Sequence, residues 1–342
     1  MAAGYSTSLL VNAQAILSRQ MQAPEFRTKE YNVAKLMMRN AAGLLPDLNT
    51  IKTSDSRTVE TYLREKTTIA TGAARTYDPS GAFGDTQQAN LSWTTVSAVA
   101  QTSLKVADRN VFTAAELLAN EIQSAHIAMA DAIETAAATY LETYKSQVNA
   151  ASGEYTSLGA WDGTEYAWQV PNGSLNYFFQ YIGTIMKVNK YHGMVDLVCD
   201  PVSYSIAKQL LAQGSSNATN TSFQFDGMTI MMSTDLTNDD GVTGTVYAIP
   251  KGTVAMVDWI PAANRRGAIT NNYKYSTIGD VSGMGLTLAL FEAQEGTDSN
   301  TTGAEVQDVN YLYESSVDYS FVKALLSTSN EYPIFKFQLL NT

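Results

Sequence analysis

The sequence TAAELLANEIQSAHIAMADAIETAAATYLETYKSQ occupies residues 113–147 and carries a clear helical pattern. Thr113 and Glu116 have the spacing of a capping box, in which each side chain accepts a hydrogen bond from a backbone amide at the start of a helix. Behind them, apolar residues recur at intervals of three or four, as expected for a helix with one buried face. These residues are Leu118, Ile122, Ala125, Met129, Ile133, Ala136, Tyr140 and Tyr144. The sequence therefore predicts one continuous helix of about 50 Å, at about 1.5 Å per residue.

The predicted length of this helix constrains the shape of the subunit. A compact chain of 342 residues has a radius of gyration of about 20 Å and hence a diameter of about 50 Å. A single helix that spans the whole molecule indicates a flat or elongated subunit.

Two stretches before this helix have a strand-like composition. Residues 57–70 (RTVETYLREKTTIA) and 91–106 (LSWTTVSAVAQTSLKV) are rich in β-branched and aromatic residues. We interpret them as the two strands of a long hairpin whose tip spans residues 71–90. A structureless connection of about 20 residues is uncommon in a compact domain, and a two-stranded ribbon is marginally stable alone. The hairpin therefore needs support from its own body or from a neighbouring subunit.

The other predicted elements give a mixed helix and strand chain. Residues 28–43 have the spacing of a short amphipathic helix with Lys35 and Arg39 on its outer side. Asp200 and Pro201 are suited to the N-cap and first position of a helix that stops near Gly214. A further helix is predicted at 175–188, and strands at 194–199, 223–233, 246–259, 285–291 and 334–340. The predicted fold class is α+β.

The charge is distributed unevenly along the chain. The net charge is −11, and charged residues make up only 16% of the sequence. Up to Arg75 there are ten basic and six acidic residues, whereas the remainder has 12 basic and 27 acidic ones. The basic excess of this segment is either a chance feature of solvent-exposed residues, or it marks an arm that lies on an acidic surface. Nucleic-acid binding is disfavoured because Arg57, Arg64 and Lys66 alternate with acidic residues.

The sequence offers little material for catalysis or metal binding. One cysteine, Cys199, and two histidines, His126 and His192, exclude an internal disulfide and leave few metal ligands. Residues 279–285 lack the lysine and spacing of a nucleotide-binding loop, and residues 235–241 match a calcium loop only in part. No apolar run approaches the roughly 18 residues that cross a bilayer. We therefore expect no enzyme activity, no cofactor, no metal and no membrane contact.

One aromatic cluster keeps a glycan-binding or glycan-hydrolysing protein open as an alternative. Trp161, Tyr166 and Trp168 lie beside Asp162 and Glu165. Glycosidases use two carboxylates at a defined separation, which a sequence does not show. Aromatic packing in a core explains the same pattern.

Three later stretches carry a resemblance to a known family. They are VDLVCDP (195–201) leading into the helix that ends at Gly214, FDGMTI (225–230) and TVYAIPKGTV (245–254). In this order, after a hairpin and a long helix, they resemble the major capsid proteins of tailed bacteriophages, which have the Hong-Kong-97-type fold. The resemblance implies an N-terminal arm (1–53), an extended hairpin loop (54–107), a peripheral domain (108–173 and 260–310, with a spine helix at 113–147) and an axial domain (174–259 and 311–342).

The resemblance also implies a function and a set of contacts. Such proteins assemble as pentamers and hexamers into an icosahedral shell around double-stranded DNA, after assembly in the host cytoplasm. Expected partners are neighbouring subunits through the arm and loop, a portal protein, scaffolding or decoration proteins, and DNA without sequence-specific contacts. A nanocompartment shell of the same fold is the alternative. The candidate contact residues between subunits are Arg57, Arg64, Lys66, Gly72, Tyr77, Phe83 and Trp93.

Overall fold

The computed structural model describes residues 2–20, 28–57, 60–64, 86–103, 111–214, 227–270, 273–298, 307–325 and 330–341. Its helices are α1 (Ala2–Gln20), α2 (Asn32–Leu44), α3 (Leu48–Thr53), α4 (Ala114–Thr143), α5 (Phe178–Val188), α6 (Pro201–Gly214) and α7 (Ala262–Arg265). Together with three β-sheets, these helices confirm the predicted α+β class.

The strands form one two-stranded, one five-stranded and one six-stranded sheet. The two-stranded sheet pairs β1 (Glu60–Arg64) with β2 (Thr86–Asn90). The five-stranded sheet contains β3 (Thr94–Ser103), β9 (Val254–Trp259), β10 (Tyr273–Gly279), β11 (Thr287–Asp298) and β12 (Gln307–Lys323). The six-stranded sheet contains β4 (Ala160–Asp162), β5 (Ala167–Val170), β6 (Val195–Cys199), β7 (Met228–Met232), β8 (Val242–Pro250) and β13 (Phe335–Leu340).

The long helix α4 begins where the sequence predicts. The Glu116 amide donates to Thr113 Oγ1 at 3.3 Å, and the Thr113 amide donates to Glu116 Oε2 at 2.8 Å, so the capping box is confirmed. The helix is 30 residues long, which corresponds to about 45 Å. It ends before residue 147 because the chain turns after Tyr144, where the Ser146 amide donates to the Ile334 carbonyl at 2.7 Å.

A helix that we did not predict, α1, packs along α4. Leu10, Ala13 and Leu17 are buried in the same apolar cluster as the inner face of α4. Their spacing of three and four residues is the helical signal that could have revealed α1.

Helix α2 begins at Asn32, later than the predicted residue 28, because α4 supplies its cap. The two carboxylate oxygens of Glu134 accept hydrogen bonds from the amides of Val33 at 3.1 Å and Ala34 at 3.0 Å. These amides have no partner within the helix, and a carboxylate also interacts favourably with the positive end of the helix dipole.

The predicted pairing of the hairpin is wrong. β1 pairs with β2, which lies inside the stretch predicted as the tip, whereas β3 pairs with β12 in the five-stranded sheet. The reason is tertiary: Val96, Ala98 and Ala100 of β3 alternate on one face and pack into the cluster around α4. The remainder of the predicted tip, residues 71–85, lies outside the described residues.

The two large sheets do not coincide with the predicted domains, whose boundaries stay a prediction. β4 and β5, predicted in the peripheral domain, pair within the six-stranded sheet, with β5 parallel to β13. β9 and β12, whose residues fall mainly in the predicted axial domain, belong to the five-stranded sheet. Long-range strand pairing decides these memberships, and a local pattern does not encode it.

Candidate functional site

The root of the β1–β2 hairpin is fixed to the five-stranded sheet. Arg57 Nε lies 3.2 Å from Asp318 Oδ2, and Arg57 Nη2 donates to Thr95 Oγ1 at 3.1 Å. Thr95 in turn donates to Asp318, which is 7% exposed. Arg57 therefore holds the chain that enters the hairpin against the middle of the sheet.

Apolar contacts fix the same root from the other side. Trp93 packs on Trp259 with ring centroids 6.3 Å apart, and Trp259 Nε1 donates to the Ser54 carbonyl at 2.9 Å. Leu63 of β1 is buried with Ile51 and three other apolar residues of its own chain.

The structure thus places two of the predicted contact residues, Arg57 and Trp93, against their own chain and close to the root. Their role between subunits stays a prediction. The side chain of Arg64 and all of Lys66, Gly72, Tyr77 and Phe83 lie outside the described residues.

The described part of the predicted N-terminal arm contacts its own body. Lys52 Nζ pairs with Asp258 of β9, and just beyond the arm Asp55 pairs with Arg266 Nη2 at 2.7 Å. Arg39 of α2 lies 3.4 Å from the buried Asp196 of β6. The arm therefore connects both large sheets, and a reach to a neighbouring subunit stays a prediction.

The outer edge of β3 is a second candidate assembly surface. β3 is the terminal strand of its sheet, and among the described residues it pairs only with β12. Its ten residues, TTVSAVAQTS, include no charge, proline or glycine, and Val99 is 54% exposed. Natural proteins usually protect such edges with charges, proline or a cover, since open edges pair with other chains.

His126 and Cys199 are both buried. Val281 donates its amide to His126 Nδ1 at 3.2 Å, and His126 Nε2 lies 3.0 Å from Ser315 Oγ. Because Nδ1 accepts, the ring is neutral with its proton on Nε2. Burial lowers the pKa of His126 to about 4, although Asp280 acts to raise it. Cys199 is fully buried, and burial raises the pKa of its thiol.

An ion cluster around a buried lysine joins α4 to the six-stranded sheet. Lys336 Nζ of β13 lies 3.2 Å from Glu142 Oε1 and 2.8 Å from Asp239 Oδ2. Tyr247 also donates to Glu142, and Gln338 donates to Asp239 at 2.7 Å. Lys336 is 2% exposed, so its carboxylate partners offset its desolvation. Asp239, in the stretch that partly matches a calcium loop, is thus engaged with a lysine.

The aromatic cluster of the glycan alternative is part of a core. Trp168 is buried, and its Nε1 donates to the Leu158 carbonyl at 3.0 Å. Asp162 accepts from the Thr164 amide at 2.8 Å and from Gln169 Nε2 at 2.9 Å, which shapes the turn between β4 and β5. Trp168 is therefore unable to stack on a sugar from solvent, and the half-buried Trp161 packs against the same core.

A cavity that the sequence did not reveal lies beside the hairpin root. Its volume is about 380 Å³, and it lies between β1, the C-terminal end of α4 and the end of β12. Tyr140 of α4 and Tyr144, just after the helix, reach it, and the sequence showed their spacing only as part of the helical pattern. Lys323 of β12 also lines it, and no local motif marks that residue.

The described ranges contain no group of three or more His, Cys, Asp or Glu side chains placed to hold a metal ion. Among the helices within these ranges, none has the length and apolar character needed to span a bilayer.

Comparison with known proteins gives similarity at the level of solved structures. No protein-family model matches the sequence, and no curated protein matches it. A structure of Mycobacterium phage Che8 is 10% identical, with a TM-score of 0.47 over 92% of this chain and 93% of that chain. The capsid structure of the Cyanophage P-SCSP1u is 11% identical, with a TM-score of 0.48 over 85% and 86%. The capsid of a native GTA particle is 13% identical, with a TM-score of 0.46 over 86% and 90%. The solved structures that this chain resembles thus include phage capsid structures, and each likeness extends over most of both chains.

Proposed function

We propose that this protein is the structural subunit of a closed protein shell. The observation that carries the proposal is the β1–β2 hairpin. Its root is fixed to the body by Arg57 and Asp318, yet among the described residues its strands pair only with each other. A two-stranded ribbon is marginally stable in water, so it needs a further surface to lie on. In a shell a neighbouring copy supplies that surface, and every copy both gives and receives a hairpin.

The edge of β3, which has no partner strand within the described ranges, supports the same proposal. An uncharged edge strand of ten residues is a hazard for a free monomer, whereas an assembly covers it. Closed symmetry then limits growth, because each copy uses the same set of contacts.

The finer assignment follows the resemblance of the sequence to tailed-phage major capsid proteins. The shell is an icosahedral capsid of pentamers and hexamers, located in the virion after assembly in the host cytoplasm, and it encloses double-stranded DNA. A portal protein and scaffolding or decoration proteins are its further partners. The excess of acidic residues after Arg75 repels DNA rather than binding it, which suits a container that must release its contents.

The test is assembly of the full chain and of a variant with a shortened hairpin. In the variant, Asn-Gly replaces residues 65–85, so that Arg64 and Thr86, already paired, are joined by a tight turn. We expect the wild type to form megadalton particles in sedimentation and negative-stain electron microscopy. The variant should remain a folded subunit that does not close a shell.

A second variant has Gly and Ser at residues 65–85 and keeps the length of the segment. It tests whether assembly depends on the length of the hairpin or on the side chains of this segment. A wild type that stays monomeric under all assembly conditions would overturn the shell proposal. A variant that loses its melting transition would show that the segment stabilises its own body instead. The absorbance ratio of purified particles distinguishes a packaged genome from the protein cargo of a nanocompartment.

A further inference from the structure

The cavity beside the hairpin root contains a lysine that has no acidic partner within the described part of the chain. Of the described residues that line it, most are apolar or aromatic, Ser92 and Thr94 are polar, and Lys323 is the only charged one. The principal wall residues are Leu63, Leu91, Tyr140, Tyr144 and Phe321. A volume of about 380 Å³ is within the range of ligand-binding clefts in proteins.

The surroundings of Lys323 favour an anion. Its Nζ lies 4.1 Å from the centroid of the Tyr144 ring and 5.0 Å from that of Tyr332. Aromatic faces attract a cation but replace only part of its hydration. Among the described residues, no ion pair within 4.0 Å includes this lysine. Burial lowers the pKa of Lys323, and no neighbouring carboxylate acts to raise it.

We propose that this cavity, the Lys323 socket, receives a carboxylate side chain from a second copy of this chain. The inference rests on the proposed shell function and names one of its contacts. Charge complementarity favours a second copy, because 27 acidic and 12 basic residues follow Arg75. Apolar walls with one cation suit an acidic side chain flanked by apolar residues, and they exclude a basic segment.

The position of the socket connects its occupancy to the hairpin. Leu63 of β1 and Leu91, next to β2, form one wall, whereas Tyr140 and Tyr144 at the C-terminal end of α4 form another. A segment that enters the socket therefore contacts the hairpin root and the rigid helix together. An occupant of the socket therefore adds a further contact between the hairpin root and the body of the same subunit.

The first experiment substitutes the cation and follows assembly. Lys323→Met keeps an unbranched apolar side chain over the tyrosine rings but removes the charge. We expect the protein concentration at half-assembly to rise by about tenfold or more, the loss of roughly one charge-assisted contact per subunit. Lys323→Arg should restore assembly, because a guanidinium also stacks on aromatic rings and pairs with carboxylates.

The matched control is Lys208→Met. Lys208 also lies over a tyrosine ring, at 4.5 Å from the Tyr204 centroid, but on the exposed surface of α6. It should assemble as the wild type does. Equal assembly of Lys323→Met and wild type would overturn the socket while leaving the shell proposal intact. Failure of the wild type itself to assemble would overturn both.

The second experiment identifies the source of the carboxylate. Particles assembled from a mixture of unlabelled and 15N-labelled subunits are treated with a carbodiimide, which joins an amine directly to a carboxylate. We expect peptides that contain Lys323 joined to an acidic peptide, with mixed isotope pairs that prove a link between copies. Pairs of a single isotope only, from a carboxylate such as Glu65 of the same chain, would overturn the proposal. Absence of any Lys323 link would do the same.

Discussion

Two cores lie on opposite faces of the six-stranded sheet, and they differ in chemistry. The aromatic core, between the sheet and helices α5 and α6, consists of large apolar side chains such as Trp168, Phe179 and Phe337. The helix core surrounds α4 on the other face, and two ionisable side chains, His126 and Glu134, are buried beside it. Apolar packing is non-directional, whereas each buried hydrogen bond requires a particular partner. The aromatic core therefore contributes mainly to stability, whereas the buried polar groups of the helix core determine which segments pack together.

Strand β13 shows how one element serves both cores. Phe335, Phe337 and Leu339 lie in the aromatic core, and the alternating Lys336 and Gln338 reach Glu142 and Asp239 on the other face. Successive side chains of a strand point to opposite faces. The helix core joins segments that lie about a hundred positions apart, such as α2 and α4, and its polar contacts fix which segments meet.

The largest effect is expected in the aromatic core. Phe337→Ala removes a fully buried ring and should lower the free energy of unfolding by about 3 to 5 kcal/mol. Urea unfolding of dissociated subunits measures the loss. Tyr155→Ala, at an exposed aromatic residue, is the control and should change the value by less than about 0.5 kcal/mol. If Phe337→Ala lowers the free energy of unfolding by a similarly small amount, the ring does not contribute to the stability of this core.

The helix core should respond to pH through His126. Its pKa falls from 6.5 to about 4 on folding, so between these values the unfolded chain binds a proton that the folded chain does not. The free energy of unfolding therefore decreases as the pH falls from about 6.5 to about 4, by at most about 3 kcal/mol.

The measurement is the pH profile of unfolding for the wild type and for His126→Gln, with the exposed His192→Gln as control. Burial raises the pKa of Glu134, so its protonation stabilises the folded state as the pH falls and opposes the effect of His126. Both proteins share this contribution, and the difference between their profiles therefore isolates His126. Parallel profiles for wild type and His126→Gln would show that the imidazole does not carry this dependence.

The smallest effect is expected at the trans cap of α2. Glu134→Gln keeps one oxygen for the amides of Val33 and Ala34 but places an NH₂ group against the other. We expect a loss of about 1 to 2 kcal/mol, typical of a weakened helix cap. Part of the loss is offset because the neutral amide does not require desolvation of a charge. Glu134→Ala leaves both amides without an acceptor and should therefore lower the free energy of unfolding by more. The exposed Glu121→Gln, on the same helix, should be neutral.

Local signals predicted the elements whose boundaries depend on nearby residues. The capping box of Thr113 and Glu116 marked the start of α4, and Asp200 with Pro201 marked the start of α6. The start of α2 was misplaced because its cap, Glu134, lies about a hundred residues away. Helix α1 went unpredicted although Leu10, Ala13 and Leu17 carried its spacing.

Strand partners were the least predictable feature. The composition of residues 91–106 indicated a strand, but β3 pairs with β12, more than two hundred residues later. Of the candidate contact residues, Arg57 and Trp93 do lie at the hairpin root. The Lys323 socket was invisible, because it forms only where β12, α4 and the hairpin meet. A pattern within one segment holds no information on which distant segment faces it.

The two sheets share one topological property with a consequence for folding kinetics. β12 is an interior strand of the five-stranded sheet and β13 an interior strand of the six-stranded sheet, and each follows every other strand of its own sheet in the sequence. Neither sheet is continuous until residues 307–340 have been synthesised. Pairing over such sequence distances makes folding slow and leaves apolar surface exposed meanwhile. We therefore expect the nascent chain to complete neither sheet until this segment has left the ribosome, and to depend on a chaperone during that interval.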